Sequence, residues 1–186
     1  MGDRNADFWV FGYGSLMWRP GFTYLDSVGA LLRGYHRAFC IYCQHYRGTP
    51  EQPGLVLGLD RGGACRGIAF RVAGTEAASV KAYLDERELV SDAYRPRMVP
   101  VATPERRIIA YTFVADPAHP HYAGKLGIER SAQVILEAQG RPGLNRDYLI
   151  NTLRRLEAEG YRDPTLHTLL KRVEHLTGMI EAGGGI

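Results

Sequence analysis

The 186-residue chain lacks most of what would mark an exported or membrane-spanning protein. Its longest mainly apolar run, Ile108 to Ala115, is eight residues and includes Thr112, far short of the ~20 that cross a bilayer. The first ten residues carry Asp3, Arg4 and Asp7 with no signal-type apolar region, so no secretory leader is expected. Cysteine is scarce, and three residues cannot build a disulfide framework. Cys40 and Cys43 stand in a strand-like run, Ala-Phe-Cys-Ile-Tyr-Cys, where positions three apart face opposite sides. No second cysteine pair or histidine pair follows at zinc spacing. Packing thiols without a metal are therefore expected, in a reducing cytoplasm.

Charge of one sign is also missing. The 23 Lys+Arg against 20 Asp+Glu leave a net charge of only +3, and the basic residues are scattered. Nothing exceeds the pairs Arg106–Arg107, Arg154–Arg155 and Lys171–Arg172. No nucleic-acid partner is expected. A Walker-type Gly-Lys-Ser/Thr is absent, and Gly12-x-Gly14 is followed by Met17 where a dinucleotide fingerprint needs its third glycine. Leu16 and Met17 after Ser15 likewise exclude a hydrolase nucleophile elbow.

What remains is an ordinary globular composition, 45% hydrophobic and 23% charged. At ~150 residues per domain the length predicts one domain over residues 1–186, frayed at 1–7 and 181–186. The first third reads as strands. Phe8–Phe11 ends at Gly12 and Gly14, Leu31 to Tyr42 is β-rich, and a loop over residues 46–54 follows. Leu55–Leu59 and Cys65–Val72 read as a hairpin around Asp60-Arg61-Gly62-Gly63, and Met98–Ala102 with Arg107–Val114 as another around Thr103-Pro104. Four helices then dominate. Thr75 caps one through Val80 and Leu84, and another runs from Leu126 or Ile128 to Gln139. Asn145 caps a third through Leu149, Leu153 and Leu156, and Asp163-Pro164 opens a fourth to about Leu176. Strands precede helices instead of alternating with them, which predicts an α+β fold.

Three segments can carry chemistry. In Val10-Phe11-Gly12-Tyr13-Gly14-Ser15-Leu16 an apolar strand runs into Gly-Tyr-Gly-Ser, where backbone N–H groups can form an anion nest or the backbone can simply bend. In Tyr83-Leu84-Asp85-Glu86-Arg87-Glu88, helical phase sets Glu88 about 40° from Leu84 and Glu86 about 160° away. Glu88 is thus nearer the buried stripe, at a helix C-terminus where the macrodipole raises a carboxyl pKa and Arg87 opposes the shift. Such a glutamate is a candidate general base. In Gly143-Leu144-Asn145-Arg146-Asp147-Tyr148, a turn and helix start can also offer the Tyr148 hydroxyl to a pocket. His45, in the 45–50 loop, can touch a ligand or sit at the surface, and the role of Arg47 in the same loop stays open.

Taken in order, Val10-Phe11-Gly12-Tyr13-Gly14-Ser15-Leu16-Met17-Trp18, Tyr46-Arg47-Gly48-Thr49-Pro50, Tyr83-Leu84-x-x-Arg87-Glu88 and Gly143-x-Asn145-x-x-Tyr148-Leu149 closely resemble the ChaC-like γ-glutamylcyclotransferases. The resemblance spans about residues 9 to 150. It implies a mixed, barrel-like sheet flanked by helices. It also implies a lyase activity that cleaves glutathione, a small-molecule substrate, to 5-oxoproline and cysteinylglycine. It assigns γ-glutamyl binding to Val10, Phe11, Gly12, Tyr13, Gly14 and Ser15, catalysis to Glu88, and a pocket-lining role to Tyr148. The segment Val90–Ala93 and the pair Arg141-Pro142 depart from members of the family and bear on substrate preference. Ring closure of a γ-glutamyl group is intramolecular, so neither cofactor nor metal is expected. Two other readings stay open: a cyclotransferase for other γ-glutamyl amides or peptides, and a non-catalytic regulatory module linked to cation transport. A carboxylate at Glu88 argues against the module.

Overall fold

Five strands organise the first part of the chain: β1 (Phe8–Gly12), β2 (Asp26–Cys43), β3 (Gly54–Val72), β4 (Tyr94–Ala102) and β5 (Arg107–Ala115). In the computed structural model, which describes residues 7–183, they close into a barrel in the order β1-β3-β2-β4-β5. Parallel pairing of Val10 with Tyr111 seals β1 to β5, while the β1–β3, β2–β4 and β4–β5 pairings are antiparallel. Frays are expected at 1–7 and 181–186; residues 1–6 and 184–186 lie outside the described residues, and residues 181–183 instead continue the last helix.

The chain packs as two units, residues 7–37 with 58–119 and residues 38–57 with 120–183, and β2 and β3 continue from the first into the second. In the first unit the β4–β5 hairpin forms as expected, in register from Tyr94↔Ala115 to Ala102↔Arg107. The hairpin expected at Asp60–Gly63 does not. Gly62 (φ +98°) and Gly63 (φ +69°) take left-handed conformations inside an unbroken β3, so they bend the strand without reversing it. Barrel pairing also draws the start of β2 back to Asp26, through residues with little strand propensity of their own.

Helix α1 (Ala77–Glu88) buries Val80 and Leu84 against Val10, Leu16, Phe70, Val72, Tyr111 and Phe113. Thr75 does not cap it, because residues 74–76 form a separate 3-10 turn and Glu76 precedes the helix. Gly67 faces β1, where a Cβ would strike the Gly12 carbonyl and the Phe11 ring. Only glycine permits that approach.

The second unit holds α2 (Gly127–Glu137), the two-residue strands β6 (Gln139–Gly140) and β7 (Gly143–Leu144), α3 (Asn145–Ala158) and α4 (Pro164–Gly183). Ile135, Leu149, Leu153, Leu156, Leu166 and Val173 fill the space among its helices. Asp163 caps α4 as expected, its Oδ1 accepting the Leu166 N–H at 3.1 Å, and the helix continues past Leu176 to Gly183. Asn145 begins α3 without capping it. Fully buried, it accepts the Leu55 N–H and donates to the Leu55 carbonyl, both at 2.8 Å. A long-range backbone clamp replaces the expected cap.

Candidate active site

Strand β1 delivers its chain into a tight turn at residues 15–17. The side chains of Val10 and Phe11 are fully buried, so these two residues can present only backbone to a ligand. The turn is tied from behind. Arg37, 5% exposed, donates from Nε to the Tyr13 carbonyl and from Nη2 to the Arg66 carbonyl, both at 2.6 Å. Thr112 donates to the Phe11 carbonyl at 2.9 Å. These bonds secure the carbonyl side of the loop. The Gly14 carbonyl accepts from the Met17 N–H, while the N–H groups of Ser15 and Leu16 meet no acceptor among the described residues. Gly12, Tyr13 and Gly14 are buried, and the Ser15 side chain is exposed.

The last turn of α1 meets this loop through Arg87. Its Nη2 donates to Ser15 Oγ at 3.0 Å, and its Nη1 to the Arg19 carbonyl at 2.7 Å. Its Nε lies 3.3 Å from Glu88 Oε1. One guanidinium therefore holds both the glycine-loop serine and the candidate base. Glu88 is 21% exposed at its side chain, whereas Glu86 is exposed, as helical phase requires. Burial raises the Glu88 carboxyl above the usual range and the Arg87 charge pulls part of the way back. The expected rise is present, with burial as its cause.

Asp85 does not turn away from the core as its phase suggests. It accepts the hydroxyl of the buried Tyr111 and pairs with Lys81 at 2.8 Å. Burial pushes its carboxyl up, but the Lys81 and Tyr111 hydrogen bonds outweigh it and hold the group below the usual range. An ionised acceptor suits anchoring the helix, not moving protons. The Tyr111 hydroxyl is pushed up to about 12 by burial and by Asp85.

Tyr148 belongs to the second unit. It is half-buried on α3, its ring T-shaped to Phe39 at 5.6 Å and capped by the Arg47 guanidinium at 4.8 Å. Its hydroxyl accepts the Leu57 N–H at 3.4 Å, and burial raises its pKa against that bond and the Arg47 charge. Arg47 thus has a defined aromatic partner, while Tyr46 beside it is exposed. Cys40 is buried, Cys43 half-buried, and neither is in a disulfide. Among the described residues no cluster of His, Cys, Asp and Glu has the makings of a metal site, and no helix is long and apolar enough to cross a membrane.

Sequence reasoning missed Arg37, Asp85 and Gly67. The β-rich run from Leu31 to Tyr42 holds two arginines, Arg33 exposed and Arg37 buried, and nothing in the run itself marks which guanidinium is buried with its acceptors. In the first unit Val10–Ser15, Arg87 and Glu88 form one connected arrangement. It offers a carboxyl tuned upward, suited to taking and returning a proton. Beside it are a serine hydroxyl and turn amides suited to a carboxylate or a developing oxyanion.

Comparison with known proteins shows the family and the fold. The model of the family described as "ChaC-like protein" matches residues 8–176. The glutathione-specific γ-glutamylcyclotransferase of Escherichia coli K12 is 36% identical over 90% of this chain and 73% of its own length. Human glutathione-specific γ-glutamylcyclotransferase 1 is 35% identical over 98% of this chain and 81% of its own. The crystal structure of a yeast γ-glutamyl cyclotransferase specific to glutathione superposes with a TM-score of 0.79 at 22% identity, covering 92% of this chain and 97% of that one. The last likeness establishes the fold: an α+β, γ-glutamylcyclotransferase-like barrel flanked by helices.

Proposed function

The chain belongs to the ChaC-like family, and from that premise we propose that it is a γ-glutamylcyclotransferase cleaving glutathione to 5-oxoproline and cysteinylglycine. The carrying observation is Glu88, a part-buried carboxyl with a raised pKa, joined through Arg87 to the glycine loop. The family model spans both units, which supports treating residues 8–176 as one catalytic domain. The substrate is a small cytoplasmic thiol peptide, and free cysteines suit that compartment.

The reaction needs a free α-amine, because ammonium has no lone pair with which to attack. Glu88 takes that proton. The amine nitrogen then attacks the γ-carbonyl of the same molecule, closing a five-membered ring through a tetrahedral oxyanion. The C–N bond to the cysteinyl nitrogen breaks as Glu88 returns that proton to it; Glu88 then takes the second proton of the ring nitrogen and passes it to the departing amine, which leaves as ammonium. Attack within one substrate carries an effective molarity of roughly 10⁵–10⁸ M, so the chain need supply orientation and proton transfer only. Ser15 and the turn amides bind the γ-glutamyl carboxylate or the oxyanion, and Arg87 holds Ser15 in place.

The test is Glu88→Gln, which keeps shape and hydrogen bonding but removes the base. Formation of 5-oxoproline from glutathione should fall by about 10²-fold or more, with no loss of melting temperature. Undiminished turnover would remove Glu88 from the mechanism. Product from other γ-glutamyl amides, but not from glutathione, would reassign the substrate and leave the chemistry standing.

A further inference from the structure

A concave site lies in the first unit, apart from the residues of the catalytic arrangement. Tyr35 of β2, Arg61 of β3, Arg95 and Arg97 of β4, and Val114 of β5 line a cavity of about 320 Å³, completed by the segment through Asp116 and Pro117. None of Val10–Ser15, Arg87 or Glu88 borders it. We propose that this cavity binds a small phosphate-bearing anion.

Three arginines from two strands line it, against a single carboxylate. Arg95 and Arg97 pair with Val114 and Thr112, so they stand on one face of β4, their Cα atoms roughly 7 Å apart. Arg61 comes from β3, immediately before the bend at Gly62 and Gly63. Asp116 is already committed: its Oδ2 lies 2.7 Å from Arg95 Nε, and its Oδ1 accepts the Ala118 N–H at 3.0 Å. The side chains of Arg61 and Arg97 meet no acidic partner among the described residues. Two uncompensated cations therefore face one concavity.

The chemistry of the lining selects the ligand. Guanidinium forks match phosphate oxygens bidentately, which a lone halide or a diffuse counter-ion does not exploit. A ligand carrying two or more negative charges balances the two free arginines. Tyr35, Val114 and Pro117 add ring and aliphatic surface for an uncharged remainder. The volume sits at the lower end of small-molecule sites, which suits a low-molecular-weight phosphate and not a polymer. This inference is independent of the glutathione assignment, because it rests on other residues.

Titration calorimetry on the full chain tests it, with inorganic pyrophosphate and adenosine monophosphate as probes in metal-free, low-salt buffer. Saturable one-to-one binding is expected, weakening as salt rises. The double variant Arg61→Gln/Arg97→Gln should weaken it at least tenfold and leave 5-oxoproline formation unchanged without the probe. Arg97→Gln alone should give an intermediate loss, which keeps the test available if the double variant does not fold. Tighter binding of the monophosphate would show that the ring and aliphatic wall holds a nucleoside. Tighter binding of pyrophosphate would show that phosphate alone is recognised. Absence of saturable heat with either probe would overturn the proposal. So would binding that survives the arginine substitutions but disappears in Ser15→Ala.

Discussion

Replacing Asn145 by alanine should cost more than any surface change in the second unit. Both Asn145 and Leu55 are fully buried, and the asparagine amide satisfies the Leu55 N–H and carbonyl together at 2.8 Å each. Asn145→Ala strips both partners at once. A buried polar group left unpaired costs about 1–3 kcal/mol, so the pair predicts roughly 2–4 kcal/mol, the lower figure applying if water enters the vacated space. With a urea m-value on the order of 2 kcal/mol per molar, the midpoint should fall by about 1–2 M. The probe matters. Trp9 and Trp18, the only two tryptophans, lie in the first unit, so their fluorescence reads the wrong region. Far-ultraviolet circular dichroism reports α2, α3 and α4. Asn145→Asp sharpens the test: at neutral pH it keeps the acceptor for the Leu55 N–H but sets a buried charge against the Leu55 carbonyl. Protonation supplies a donor to that carbonyl, so the aspartate variant should recover stability as pH falls. A shift under about 0.5 kcal/mol for the alanine variant would refute the reasoning. So would an aspartate variant as stable as the parent at neutral pH.

Three further outcomes follow from the first unit. Because burial raises the Glu88 pKa, the folded chain holds that proton at pH values where the unfolded chain has lost it, and stability falls as pH climbs from the ordinary carboxylate value through the raised one. Glu88→Gln should therefore melt higher than the parent at neutral pH, with the difference vanishing below about pH 4; a gap independent of pH would contradict this. Tyr111→Phe removes the hydroxyl that anchors Asp85 and should cost about 1–2 kcal/mol by tryptophan-monitored unfolding. An unchanged midpoint there would mean the contact only accompanies packing. Gly67→Ala should destabilise by ~3 kcal/mol or more, since its Cβ meets backbone and ring atoms of β1, and a well-folded, active variant would show that the barrel can open there.

Local pattern and helical phase carried a large part of this reading. The β4–β5 hairpin, the Asp163 cap and the separation of Glu88 from Glu86 are all properties of neighbouring residues, which one-dimensional spacing expresses directly. The family resemblance likewise sits in short segments whose order survives in the linear chain. Tertiary structure decided what depends on partners far away in sequence. Gly62 and Gly63 look the same in a hairpin turn and in a bent strand, and barrel pairing on both sides of them selects the strand. Asn145 suits a helix cap or a clamp, and the buried Leu55 backbone chooses the clamp. Asp85 has the phase of a solvated acid until Tyr111 arrives from β5. Arg37 has no local reason to be buried, and acceptors that include the Tyr13 and Arg66 carbonyls, brought together by the barrel, satisfy its guanidinium away from water. Backbone preferences act over a few residues, whereas the pairing of buried polar groups is settled only when distant segments meet.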